Sequence, residues 1–373
     1  MSNSTGGLLG GMSNSSQSSE NNTVTTREPL TTDKIIICVV FYIIVFVTIF
    51  GNVLVLLAIK VEKRLQTLFN YYIINLAVTD IAVAVTAMSF YTLDVTLGYW
   101  PFGEIMCAIW IFCDYGMTFA SVFTLIAISL DRFWSVTWSL HYRTHHTRKK
   151  CLIIIAVIWL FMVILWLPPC VLDRIQNSQP EVCIWEPSLN REFVIVIAAV
   201  GHHGAFLLLM FCYIRVLLFM RKRQVNPVIP RNKNISASPS VSGVEDSVVA
   251  ATSLSVVASD TKSNNLLQPP KSGNGQSSAK AQSSENSSGI NKERKVFVTL
   301  TYIIVGYVMC WLPFHIVFDV SSIAPEKVPN TVYTITFWMT YLNSTINPFL
   351  YNFSSKEFRQ AFKKILSCAW RTT

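Results

Sequence analysis

Seven apolar stretches, at about residues 34–60, 68–93, 104–132, 150–172, 191–220, 295–319 and 331–352, restrict the folds open to this chain more than any other feature. Each exceeds the roughly 20 residues that a helix needs to cross a hydrocarbon layer. In lipid the backbone must satisfy its own N–H and C=O groups, so such runs fold as helices. Composition agrees. Only 14% of the 373 residues are charged and 51% are hydrophobic, against about 25% charged in soluble domains. The expected fold is an all-α membrane protein, a seven-transmembrane helix bundle followed by a short amphipathic eighth helix.

Basic residues set the orientation, because Lys and Arg collect in cytoplasmic loops. Lys60, Lys63 and Arg64 follow the first run, and Arg143, Arg148, Lys149 and Lys150 precede the fourth. Arg221, Lys222, Arg223, Lys292, Arg294 and Lys295 bracket the loop between the fifth and sixth. Lys356, Arg359, Lys363 and Lys364 follow the seventh. The amino end is therefore expected outside the cell and the carboxyl end inside, in a multi-pass protein of the plasma membrane. A net charge of +9 is also compatible with nucleic acid. Its gathering in short loops between apolar runs instead fits a membrane protein that binds none.

The chain divides accordingly. Residues 1–33 are rich in Ser, Asn, Thr and Gly, read as a disordered extracellular arm, and carry acceptor sequons at Asn3, Asn14 and Asn21. No apolar core of a cleavable signal peptide lies within them. Residues 34–220 hold the first five helices, and 221–294 a mostly disordered cytoplasmic loop whose Ser/Asn/Gly-rich linker is 224–290. Residues 295–352 hold the last two helices. In 353–373, Phe358, Phe362, Ile365 and Leu366 fall on one face opposite Lys and Arg, as in a helix lying on lipid. Cys368 at its end is a palmitoylation candidate.

Two carboxylates lie inside apolar runs. Asp114 stands near the start of the third, eighteen residues before Arg132, or about 27 Å along a helix. A carboxylate there is costly unless solvated or paired. Asp114 therefore needs a cavity and a cation, the alternative being a role in pairing helices. Thr118 and Ser121 follow it at i+4 and i+7 on one polar face, and Tyr115 adjoins it. Aromatic residues recur at helical spacing elsewhere: Trp166, then Trp311, Phe314 and His315, then Phe337 and Tyr341 beside Trp338. Rings around one carboxylate form the box that an organic cation prefers; each ring taken singly is equally compatible with packing. Asp80 is the second carboxylate, with Asn52, Ser121, Asn343 and Asn347 as polar groups in neighbouring runs. The nine cysteines include no CxxC pair. His202 and His203 are adjacent and cannot both face one metal.

Short motifs complete the pattern: Gly51-Asn52-Val53, Leu76-Ala77-Val78-Thr79-Asp80, Asp131-Arg132-Phe133, Trp159, Cys310-Trp311-Leu312-Pro313 and Asn347-Pro348-Phe349-Leu350-Tyr351. In that order and placement they resemble the rhodopsin-like G-protein-coupled receptors, from residue 34 to about 370. The resemblance implies a receptor rather than an enzyme, with a heterotrimeric G protein and arrestin as partners and membrane lipid around it. It implies a disulfide between Cys107 and Cys183, Asp114 as counter-ion to a small protonated amine, and a sodium pocket at Asp80, Ser121, Asn343 and Asn347. It also implies a switch. Arg132 pairs with Asp131 and with Glu293, Pro313 is the kink of the sixth helix, and Tyr213 and Tyr351 meet Arg132 when that helix moves.

Tyr115, Trp166, Trp311 and Tyr341 are most similar to the choline cage of muscarinic acetylcholine receptors, so acetylcholine is the expected ligand. The fifth run has no serine for ring hydroxyls. Departures from that cage are Phe314 and Phe337 in place of tyrosines, His315 in place of asparagine, and Ala205 in place of the usual proline. They leave histamine, tyramine or octopamine as alternatives. A transporter is a more remote reading, since internal repeats with broken helices are absent.

Overall fold

The structure, a computed structural model, describes residues 30–225 and 275–367. Seven long helices follow one another: Thr32–Val61, Asn70–Leu97, Gly103–Thr137, Arg148–Asn177, Arg191–Lys222, Gly275–Ile323 and Asn330–Ser354. A short helix, Ser139–His145, links the third to the fourth. An eighth, Lys356–Leu366, follows the seventh. The candidate glycosylation sites Asn3, Asn14 and Asn21 and the candidate lipidation site Cys368 lie outside the described residues.

The helices turn apolar side chains outward as well as into the core. On the first, Ile36, Val40, Ile43, Phe46, Phe50, Val53 and Leu57 are exposed at helical spacing, while Thr48 and Asn52 are buried. A stripe like this suits lipid, where apolar side chains gain nothing by turning inward. The third helix is the axis of the bundle. Its most apolar window is 72% buried, against 22% for the first and fourth helices. That explains why both polar and apolar residues along it face protein.

Among the described residues, six helices are long and apolar enough to cross a membrane by length and composition. The seventh, Asn330–Ser354, has the length but buries a polar face that includes Asn343, Ser344, Thr345 and Asn347. The fourth helix runs through Pro168 and Pro169 to Asn177 and carries Trp166 within it. The sixth begins at Gly275. Residues 275–294, expected in the cytoplasmic loop, are therefore helical; turns added to a packed helix need no new nucleus. In the eighth, Ser355 caps the Phe358 N–H at 3.3 Å and Phe358 and Phe362 are buried, while Leu366 is exposed.

Ala205, where a proline was expected, directly follows a wide-turn stretch, Ile197–Gly204, wound as π-helix. The fifth helix is thus distorted without the ring. Gly201 in this stretch lets the third helix approach: a Cβ there would sit 1.9 Å from Cε1 of Phe119.

The connection between the fourth and fifth helices is tied down along its length. Asp173, 1% exposed, accepts from Arg174 at 2.6 Å, Asn177 at 3.0 Å and Asn190 at 2.7 Å. Arg174 also donates to the Ile184 carbonyl at 2.7 Å. A disulfide joins Cys107 to Cys183, with Cα atoms 5.6 Å apart.

Candidate functional site

Asp114 is 1% exposed. Tyr341 Oη donates to its Oδ1 at 2.6 Å. Among the described residues no lysine or arginine pairs with it. A buried carboxylate held by one neutral donor retains most of its need for a cation. Thr118 does not add to the polar face expected of it, because its hydroxyl donates to the Asp114 backbone carbonyl.

Rings surround the carboxylate. Tyr115 stacks on Trp166 with centroids 4.6 Å apart, and meets Trp185 edge-on at 5.6 Å and Phe337 at 5.7 Å. Phe337 in turn touches Tyr341 at 5.3 Å and Phe314 at 5.2 Å. A cavity of about 310 Å³ opens among them, lined by Asp114, Tyr115, Phe337, Tyr91, Trp185 and Tyr333 with others. Trp166 and Phe314 back the lining rings. Trp311 and His315 do not line this cavity. Trp311 meets Phe119 edge-on at 6.2 Å, and His315 stacks on His202 at 4.5 Å. His202 and His315 are both buried, and His202 Nδ1 and His315 Nε2 have no hydrogen-bond partner.

Five lining aromatics were not anticipated: Tyr91, Tyr99, Trp110, Trp185 and Tyr333. Trp185 had a signal, standing two residues past a cysteine tied to the third helix. Tyr91 and Tyr333 had none, because which face of a helix looks inward depends on its neighbours.

Deeper in the bundle, Asp80 is fully buried. Ser121 Oγ donates to one carboxylate oxygen at 3.0 Å and Asn347 Nδ2 to the other at 2.8 Å. Asn343 is buried in the seventh helix, and Asn52 Oδ1 has no partner. A carboxylate, a hydroxyl and amide oxygens are the hard donors that a small cation takes, so these residues fit sodium.

At the far end of the third helix Arg132 donates to Asp131 at 2.6 Å and lies 3.4 Å over the Phe69 ring. Asp131 also accepts from Tyr142 Oη at 3.1 Å and lies 3.0 Å from His146 Nε2. Burial and the Asp131 carboxylate push the Tyr142 phenol above its ordinary range, which keeps it a donor. Tyr213 stacks on Phe297 at 5.8 Å and Tyr351 on Phe358 at 5.4 Å. Neither is bonded to Arg132, although Tyr351 and Arg132 line one cavity of about 660 Å³. Pro313 lies inside the sixth helix, and the Glu293 side chain is outside the described residues.

The sequence matches the family described as 7 transmembrane receptor (rhodopsin family) over residues 51–351. Among curated relatives, the human Alpha-1A adrenergic receptor is 30% identical over 85% of this chain. The chain spans about 65% of that receptor's own length. The Alpha-2A adrenergic receptor of Danio rerio is 27% identical over 87% of this chain and 90% of its own. The Muscarinic acetylcholine receptor M2 of Gallus gallus is 26% identical over 87% and 91%.

Proposed function

Because the chain belongs to the 7 transmembrane receptor (rhodopsin) family, we propose that it is a plasma-membrane receptor for a small cationic amine, signalling through a heterotrimeric G protein. The observation that carries the ligand class is Asp114, buried among rings with a phenol as its only side-chain partner among the described residues. An ammonium there gains an ion pair and cation–π contacts in one place. The amino end lies outside and the carboxyl end inside.

Acetylcholine is the ligand we put first. Its quaternary head suits an aromatic lining, and the fifth helix offers no serine to a hydroxylated ring. The second reading is an aryl amine such as histamine, tyramine or octopamine. The adrenergic relatives favour it.

In the mechanism the ammonium binds Asp114. Trp311, packed on Phe119 outside the cavity, senses the packing change, and the sixth helix pivots at Pro313. Arg132 then leaves Asp131, Tyr213 and Tyr351 turn toward it, and the cytoplasmic cavity admits the G protein, with arrestin as a later occupant. Each step biases one two-state bundle. Asp80, Ser121, Asn343 and Asn347 would hold a sodium ion, which would supply positive charge beside the buried carboxylate.

The test is a dose–response panel of acetylcholine, histamine, tyramine and octopamine on cells expressing the full chain, read as G-protein nucleotide exchange. A response to acetylcholine alone supports the first reading. A response to aryl amines with silence to acetylcholine selects the second. Solute uptake without nucleotide exchange would replace both with a transporter.

A further inference from the structure

The buried carboxylate at the far end of the third helix has a partner that its charge balance does not need. Asp131 accepts from Arg132 at 2.6 Å and from Tyr142 Oη at 3.1 Å, and His146 Nε2 stands 3.0 Å from its Oδ1. The Asp131 and His146 side chains are only 4% and 7% exposed, so water screens this contact little. A guanidinium already matches the carboxylate, yet a second group able to carry positive charge is packed against it.

The imidazole is fixed by the elements around it. The short helix ends at His145, and the His146 N–H returns to the Tyr142 carbonyl at 2.9 Å. The Tyr142 ring stacks on the imidazole with centroids 4.3 Å apart, and Trp134 of the third helix meets it edge-on at 6.1 Å. Cys151 of the fourth helix places Sγ 3.2 Å from Nε2, and Tyr72 of the second helix stands beside Cys151. Among the described residues the titratable and charged groups around His146 are therefore Asp131 with Arg132 behind it, Tyr142, Cys151 and Tyr72. On the flanking chain Arg143, Arg148, Lys149 and Lys150 are exposed, as are His141 and His145, which stack on each other at 4.0 Å.

The two arrangements of the bundle ask different things of this contact. While Arg132 stays on Asp131, a proton on His146 adds a second cation opposite the guanidinium. Once Arg132 leaves, a neutral imidazole and a phenol give Asp131 hydrogen bonds but no charge, and a buried carboxylate that loses its cation is costly. A protonated His146 supplies the missing charge without moving, and its stack on Tyr142 then gains a cation–π contact. Histidine is the side chain suited to this exchange, since its charge changes between about pH 5 and 8.

We propose that His146 is the substitute cation for Asp131, taking up a proton as Arg132 departs, so that acidification of the cytosol favours the signalling arrangement. This rests on the reading of the Arg132–Asp131 bond as the resting lock and adds a pH control that the lock alone does not have. The sign follows from linkage. The arrangement without Arg132 holds the His146 proton more tightly, so lowering the pH shifts the balance toward it, and the shift fades above the histidine range.

The experiment measures agonist-free nucleotide exchange by a purified G protein on membranes carrying the full chain, between about pH 8 and about pH 6. Exchange on the unmodified receptor should rise about fivefold as the pH falls, the step from a neutral to a charge-assisted hydrogen bond. His146→Gln keeps a donor but never carries charge, and should stay at the alkaline level throughout. His146→Lys is charged across the whole range, and should be equally flat at the acid level. Amine-stimulated exchange in the same membranes shows that each variant is folded. A rise of equal size in the unmodified receptor and in His146→Gln overturns the proposal, and so does a flat or falling profile in the unmodified receptor. Asp131→Asn tests the lock separately, and should raise agonist-free exchange and remove its pH dependence. If that exchange does not rise, the lock reading fails and the proposal with it; if it rises while His146→Gln keeps the full pH response, only the substitute cation is lost.

Discussion

Tyr341 on the seventh helix donates its hydroxyl to Asp114 on the third across 2.6 Å. The bond aims the carboxylate and ties the seventh helix to the third. Removing the hydroxyl alone tests that arrangement. Tyr341→Phe should keep the ring and its packing on Phe337 while lowering amine affinity about tenfold, the size of a hydrogen bond to a charged group. Competition binding on membranes measures it. An unchanged affinity would mean that Asp114 is positioned by other means.

Asp114→Asn should lower amine affinity by about 100-fold or more, since one member of a buried charge pair is lost. Surface expression should be kept, because the amide is isosteric and still accepts from Tyr341. Binding and surface immunostaining on the same cells separate loss of site from loss of fold.

At Asp80 the expected outcome concerns salt. If sodium sits among Asp80, Ser121, Asn343 and Asn347, agonist affinity should fall as sodium replaces a large organic cation at constant ionic strength. Asp80→Asn should flatten that dependence. A sodium effect of full size in the variant would defeat the assignment.

Tyr142 helps hold Asp131 in its bond to Arg132. Tyr142→Phe should free that carboxylate in part and raise ligand-independent nucleotide exchange by a few-fold, in line with the loss of about 1 kcal/mol from one side of a two-state balance. Unaltered basal exchange would show that this bond does not stabilise the resting arrangement.

Gly201→Ala places a methyl where Phe119 already lies. Phe119 is boxed in by Trp166, His202 and Trp311, so the crowding is not easily relieved. The cost should be about 2 kcal/mol, seen as a drop of several degrees in the unfolding temperature of the detergent-solubilised receptor. Pairing Gly201→Ala with Phe119→Leu should recover part of that loss.

Hydropathy was enough to place six of the seven helices, because a lipid surround forces long apolar runs into one conformation. Asp114 and Asp80 were legible for the same reason: a carboxylate in an apolar run demands an explanation. The rings around Asp114 were only partly legible. Spacing places Phe337 and Tyr341 on one face, but whether that face looks at Asp114 depends on how helices turn against each other. His315 and Trp311 show the limit. Both share a face with Phe314, yet the wide turn at Ile197–Gly204 accompanies a fifth helix whose His202 packs against His315, in a cluster apart from the carboxylate. Nothing local in the sequence marks such a turn, since the proline that usually accompanies it is missing. The start of the sixth helix at Gly275 was hidden by composition, because Ser- and Asn-rich sequence extends a helix once a packed segment anchors it.

The fastening of the loop between Asp173 and Asn190 bears on kinetics. With Asp173 gripping both ends of it, Arg174 holding its middle and a covalent tie beneath, this roof is an awning rather than a door. A ligand then enters through a passage of constant width, so its association rate should depend on its girth, on ionic strength and on its own diffusion, with no slow opening step before binding.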